Sequence, residues 1–227
     1  MSKLYGLIFD VDGLIANTEP VNAKVTIRVF EDMFGVRGVR PEDFAAGIGR
    51  GAEAFVRAAA DVHHVDLTDE QVSRAAQLRE QYLIQAMRDE GVPAFPGVLE
   101  LIHAALAKPE YRLAIATSAS LELSHAILDA TKVPYERMGY VSGSDVTRKK
   151  PDPQVFLLAA GRIDIEPARC VVFEDAPSGV QAGKTAGARC VAVTNSAAAE
   201  QLAQADIVCD SLEQITLDTI ANLIDAK

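Results

Sequence analysis

The chain has 227 residues, and its 22 Lys and Arg against 32 Asp and Glu give a formal net charge of −10, with 49% hydrophobic and 24% charged residues. That length fits one domain, or one domain with an insert, and the composition excludes a disordered, collagen-like or disulfide-framework chain. An acidic balance without a basic block argues against nucleic acid or an anionic membrane as partner, so a phosphate handled by this chain is expected to be small and accompanied by a metal.

The start, MSKLYGLIFDVDG, carries no signal-like apolar region, and no run of about 18 apolar residues occurs; the expected location is the cytoplasm, with no membrane partner. Lys3–Phe9 is predicted to be a buried strand. It ends in Asp10 and Asp12, two residues apart and so on one side of an extended chain. Gly13 follows, which permits a tight turn and close approach of backbone N–H groups to a ligand. Residues 19–90 hold no strand pattern. They give helical patterns at Glu19–Phe34, Ala52–Val62 and Thr68–Arg88, the last opened by a Thr68/Gln71 capping box. Breakers at 91–93 and 95–97 close this block.

Beyond it, apolar runs alternate with helical patterns. Gly97–Ala107 is a helix; Arg112–Ala116 is a strand ending in Thr117 and Ser118, whose hydroxyls and following N–H groups can bind an anion at the helix Ser120–Thr131. Lys149 and Lys150 precede Pro151, which stiffens the approach to a helix over Asp152–Arg162. Cys170–Phe173 is a strand ending in Glu174 and Asp175, followed by a helix over Pro177–Ala186 and a strand at Cys190–Val193. Continuous apolar strands alternating with helices predict a doubly wound, Rossmann-like parallel sheet with an all-helical insert. The expected division is 1–17 plus 92–227 as the α/β core and 18–91 as a helical cap. Acids clustered at two strand ends require a cation, and oxygen ligands without His or Cys favour Mg2+. Cys170, Cys190 and Cys209 lie far apart in apolar runs and read as buried small residues, not as a disulfide or zinc set. His103 and His125 read as structural, His63 and His64 as polar cap residues. Gly183-Lys184-Thr185 fails as a phosphate loop because Ser178 stands where its first glycine belongs.

The ordered series D-x-D-G, a Ser/Thr after a strand, K-P-D-P, and E-D after a strand resembles the haloacid dehalogenase superfamily. It is most similar to the β-phosphoglucomutase-like phosphatases, through Thr117–Ser120, the G-x-x-R at Gly47–Arg50 and the Glu174–Gly187 stretch. The resemblance implies an Mg2+-dependent phosphomonoesterase acting on a small phosphorylated metabolite, plausibly a sugar phosphate, as a monomer or weak homodimer. It implies Asp10 as nucleophile and Asp12 as acid and base. Ser118 and the Ala119 N–H would bind the phosphoryl group, with Gly13 beside it, and Lys150 would neutralise charge. Asp10, the Asp12 carbonyl and Asp175 would hold the metal, supported by Glu174. In the cap, Arg50 would contact the substrate, with Arg79 and Lys24 as weaker candidates and Thr18 at the hinge. The alternatives are a β-phosphoglucomutase-type mutase, weakened because Asn22 stands where the mutase carries a histidine, and a catalytically silent binding module.

Overall fold

Short apolar runs bounded by polar residues become the strands of one sheet. The computed structural model describes residues 3–47 and 52–226. Among them, six strands run parallel in the order β3-β2-β1-β4-β5-β6: β1 (Tyr5–Phe9), β2 (Tyr111–Ala116), β3 (Gly139–Val141), β4 (Cys170–Glu174), β5 (Arg189–Val193) and β6 (Ile207–Cys209). The central strands β1 and β4 are buried at every residue, which explains the continuous apolar runs Tyr5–Phe9 and Cys170–Phe173. Helices α1 (Glu19–Phe34), α2 (Ala52–Val62) and α3 (Asp69–Asp89) intervene between β1 and the rest. The later helices are α4 (Val98–Leu106), α5 (Leu121–Thr131), α6 (Gln154–Arg162), α7 (Pro177–Thr185) and α8 (Leu217–Asp225). The chain is thus an α/β protein with a doubly wound sheet.

Strand alternation divides the core. Ile8, Ala114 and Val172 face the buried sides of α6 and α7, with Val155, Phe156, Ala159 and Val180. The opposite face carries Tyr5 stacked on Tyr111, and Phe9 on Phe173, whose ring centroids lie 4.6 Å apart at 7°. Phe9 and Phe173 are paired in register, so the residues that follow them, Asp10 and Glu174, leave neighbouring strands at one level. This is also where strand order reverses, at β1 and β4, and open α/β sheets place ligands in the crevice at such a switch point.

Two compact units emerge, Met1–Asn17 with Val92–Lys227, and Thr18–Gly91. The helical unit has its own core, built from Val29, Phe30, Phe44, Phe55, Val56, Ala59, Val72 and Ala75. Thr68 and Gln71 form a reciprocal capping box that opens α3. Gly35, with φ 67°, terminates α1 in the left-handed conformation. Arg79 is buried in this unit. Its Nε donates to Thr26 Oγ1 at 2.9 Å, its Nη2 donates to Asn22 Oδ1 at 2.5 Å, and its guanidinium lies 4.6 Å over the Phe55 ring.

Several elements lie outside the reading from sequence. β3 and β6 have three residues each, too short for an alternation signal. A 3-10 turn over Pro41–Gly47 and helix α8 were likewise not expected. The cysteines are free and buried. His125 stacks on Tyr135 at 4.9 Å, and His63 Nε2 pairs with Asp43 Oδ2 at 2.8 Å. Among the described residues, no helix is long and apolar enough to cross a membrane.

Candidate active site

Asp10 follows β1, is 6% exposed, and its N–H donates to Phe173 O at 3.1 Å, extending the β1–β4 ladder to the carboxylate itself. Lys150, buried beside it, donates to Asp10 Oδ1, to Glu174 Oε1 at 2.6 Å and to Ala116 O at 3.4 Å, with its ammonium 4.8 Å over the Phe156 ring. The Lys150–Pro151 peptide is cis. One lysine therefore draws together the ends of β1, β2 and β4.

Glu174 is 1% exposed and its oxygens divide between two tasks. Oε1 accepts from Lys150, and Oε2 accepts from the N–H groups of Asp175 and Ala176, each at 3.0 Å. The alternation of β4 explains this: Glu174 points with Val172 toward α6 and α7, where Lys150 precedes one helix and Gly179 lies in the first turn of the other. A Cβ at Gly179 would fall on the Glu174 carboxylate, so glycine is required there by close packing. With both oxygens committed, Glu174 serves to hold Lys150 and the Asp175 turn.

Asp175 is 3% exposed. Carboxylate oxygens of Asp10, Glu174 and Asp175 all lie within 4.8 Å of one another. Burial pushes the Asp10 carboxyl up to about 7, with Lys150 opposing and Glu174 and Asp12 reinforcing. Burial, Glu174 and Asp10 hold Asp175 well above the usual range, with the Ser196 hydroxyl opposing. Burial alone would lower Lys150, but Asp10 and Glu174 outweigh it and hold the ammonium above its ordinary range. Burial and mutual repulsion therefore oppose the ionisation of all three carboxylates around one ammonium. A divalent cation would relieve that repulsion, and all-oxygen donors suit a hard one.

Asp12 is exposed and lies outside this side-chain cluster. Gly13 has φ 86°, and a Cβ on it would collide with Asp175 Oδ2 and Ser196 Oγ. Its N–H donates to Ala16 O at 3.1 Å, closing the turn. After β2, Thr117 is 1% exposed, and Thr117 Oγ1 accepts from the Ala119 N–H at 3.1 Å. Ser118 is partly exposed, and Ser120 caps α5 through Leu123 N–H at 3.2 Å.

Within the helical unit, Thr18 is buried and its Oγ1 accepts from Asn22 Nδ2 at 3.1 Å. Lys24 is exposed and paired with Glu90 at 2.5 Å. Arg50 lies outside the described residues. Two residues near the carboxylates were not singled out from sequence: Asn195, whose Nδ2 donates to Gly13 O at 2.8 Å, and Ser196. Polar residues just after a buried strand are their only sequence signal.

Residues 7–193 match the family model described as haloacid dehalogenase-like hydrolase. The chain belongs to the haloacid dehalogenase-like hydrolases. Hexitol phosphatase A of Escherichia coli K12 is 32% identical over 93% of both chains. The fructose-1-phosphate phosphatase YqaB of the same organism is 30% identical over 80% of this chain and 92% of its own length. Among solved structures, CbbY from Rhodobacter sphaeroides in complex with xylulose-(1,5)-bisphosphate superimposes with a TM-score of 0.84 at 25% identity, covering 96% of this chain and 99% of that one. As a member of this family, the chain is a hydrolase whose buried acidic cluster can hold a divalent metal.

Proposed function

We propose that this hydrolase is an Mg2+-dependent phosphomonoesterase for a small sugar or sugar-alcohol phosphate, acting through an aspartyl-phosphate on Asp10. The observation that carries the reading is the Asp10 carboxylate, fixed at the β1/β4 switch point between Lys150 and the Asp175 carboxylate. Phosphatase relatives acting on hexitol and fructose phosphates support the substrate class.

A carboxylate approaching a phosphate monoester meets like charge. Lys150 counters that repulsion at Asp10 and keeps its charge throughout the neutral range. Asp10, Asp175 and the Asp12 carbonyl would hold Mg2+, which when bound offsets the surplus negative charge and stabilises charge developing on the phosphoryl oxygens. Asp10 forms the O–P bond as the sugar oxygen leaves, and Asp12 supplies the proton to that oxygen. Asp12 then takes a proton from water as the acyl phosphate is hydrolysed, returning Asp10 and releasing phosphate. Exposure suits Asp12 to exchanging protons with substrate and water. Ser118 and the Ala119 N–H receive the phosphoryl oxygens at the start of α5. The helical unit 18–91 is assigned the choice of substrate, through the segment ending at Arg50, with Thr18 at the junction. Arg79 and Lys24 are engaged within that unit and are assigned to its structure. Asn22, bonded through both ends of its amide, has no proton to trade. That favours water over a second sugar hydroxyl as phosphoryl acceptor, hence hydrolysis over mutase chemistry.

The test is 31P NMR of the protein with Mg2+ and a panel of hexose, hexitol and pentose phosphates, with an EDTA control. Metal-dependent release of inorganic phosphate is expected. Migration of phosphate between sugar carbons would replace the hydrolase reading by the mutase, and a panel without turnover would overturn the substrate class.

A further inference from the structure

The loop after β5 connects the two carboxylate-bearing turns. β5 lies beside β4, with β1 on the far side of β4. Yet Asn195 reaches past the end of β4 and donates from Nδ2 to Gly13 O at 2.8 Å. The neighbouring Ser196 hydroxyl lies close to the Asp175 carboxylate: a Cβ placed on Gly13 would sit 2.7 Å from Ser196 Oγ and closer still to Asp175 Oδ2. The loop is anchored from behind: Thr194 N–H donates to Cys209 O at 3.0 Å and Thr194 Oγ1 to Asp210 Oδ1 at 2.9 Å. Consecutive residues of one braced loop therefore bond the turn after Asp12 and lie beside the Asp175 side chain.

We propose that Asn195 and Ser196 are positioning residues that set the spacing between the Asp10–Gly13 turn and Asp175, and with it the affinity of the site for its divalent cation. The inference rests on the metal-dependent reading above. The Gly13 peptide is rotated into the left-handed region, and Asn195 holds its carbonyl there. That fixes the preceding Asp12 carbonyl, one of the proposed ligands. Ser196, beside Gly13 and the Asp175 carboxylate, places a hydroxyl where it can donate to that carboxylate and orient it. Hydrogen-bonded partners of ligands in other metal sites change affinity by roughly 10–100-fold when removed.

The experiment is titration calorimetry of the metal-free protein with Mg2+, repeated with Mn2+ and followed by Mn2+ electron paramagnetic resonance, on the parent, Asn195→Ala, Ser196→Ala and Ser196→Thr. The expected result is an affinity about tenfold weaker in each alanine variant, with Ser196→Thr restored toward the parent because the hydroxyl is kept. In turnover, the activation constant for Mg2+ should rise while KM for the phosphate monoester stays within twofold. Ser196 is exposed, so its alanine variant tests the inference even if Asn195→Ala fails to fold. Parent-like affinity in folded Ser196→Ala, or an equal loss in Ser196→Thr, overturns the proposal. A parent that binds neither cation overturns the metal-dependent reading instead.

Discussion

Replacing Lys150 by Met removes the cation that pairs with Asp10 and Glu174, beside the buried Asp175, at nearly constant shape. In the parent, Lys150 bonds Asp10 and Glu174 with all three side chains 8% exposed or less, so solvent cannot substitute for it. Removing one member of a buried ion pair costs about 3–5 kcal/mol, and that is the destabilisation expected at pH 8 in EDTA. The cost should depend on pH. Asp10 sits at about 7 in the folded parent against an ordinary 3.8. Between those values the folded state binds more protons than the unfolded one, so metal-free parent stability falls as pH rises through this window. Lys150, held above its ordinary value, adds stability that is constant at neutral pH and is lost only in strong alkali. Without Lys150 the carboxyls hold their proton to higher pH than in the parent, so the gap between parent and variant should narrow as the pH is lowered from 8 to 6. Urea unfolding in EDTA at both pH values measures this directly. A difference below 1 kcal/mol at pH 8, or one that does not shrink at pH 6, would refute the electrostatic account of the site.

Asp10→Asn should lower turnover by on the order of 10⁴–10⁶-fold and abolish acid-stable labelling of the protein by a 32P substrate; labelling that persists would move the nucleophile elsewhere. Gly13→Ala combines a left-handed backbone with a Cβ driven onto Asp175 and Ser196, so it should cost about 1–3 kcal/mol and weaken Mg2+ binding in calorimetry. Gly35→Ala, equally left-handed but in open space, should cost only about 1–2 kcal/mol and leave Mg2+ affinity unchanged. Burial pushes the Cys170 and Cys190 thiols up to about 12 and raises Cys209 as well. A thiol reagent at pH 8 should therefore modify none of the three in the native protein and all three in guanidinium, as followed by absorbance; rapid native labelling would contradict their burial.

The sequence was most informative where one residue determines its own environment. The runs that became β1, β2, β4 and β5 are apolar through their middles because both faces of a central parallel strand are covered, and that is legible without coordinates. So are α1, α2 and α3, through their periodicity and the Thr68 capping box, and so are Asp10, Asp12, Glu174 and Asp175 as acids at strand ends. Edge strands β3 and β6 were not legible, because three residues carry no period and their pairing is decided by the neighbour already in place.

The linear order of residues could announce that Lys150 and Glu174 matter, but not what each holds. Only the strand order, which sets β1 beside β4, and the alternation of β4 decide that one Glu174 oxygen takes Lys150 while the other caps its own turn. Arg79, a candidate for substrate by charge, is instead packed between Asn22, Thr26 and Phe55, because a buried guanidinium binds whatever acceptors surround it. Asn195 reaches Gly13 past β4, which separates their strands in the sheet, and Ser196 lies beside Asp175 at the end of the adjacent strand. Local composition determined which segments fold and which carry charge; long-range hydrogen bonding, which no sequence window contains, decided which of those charges share a site.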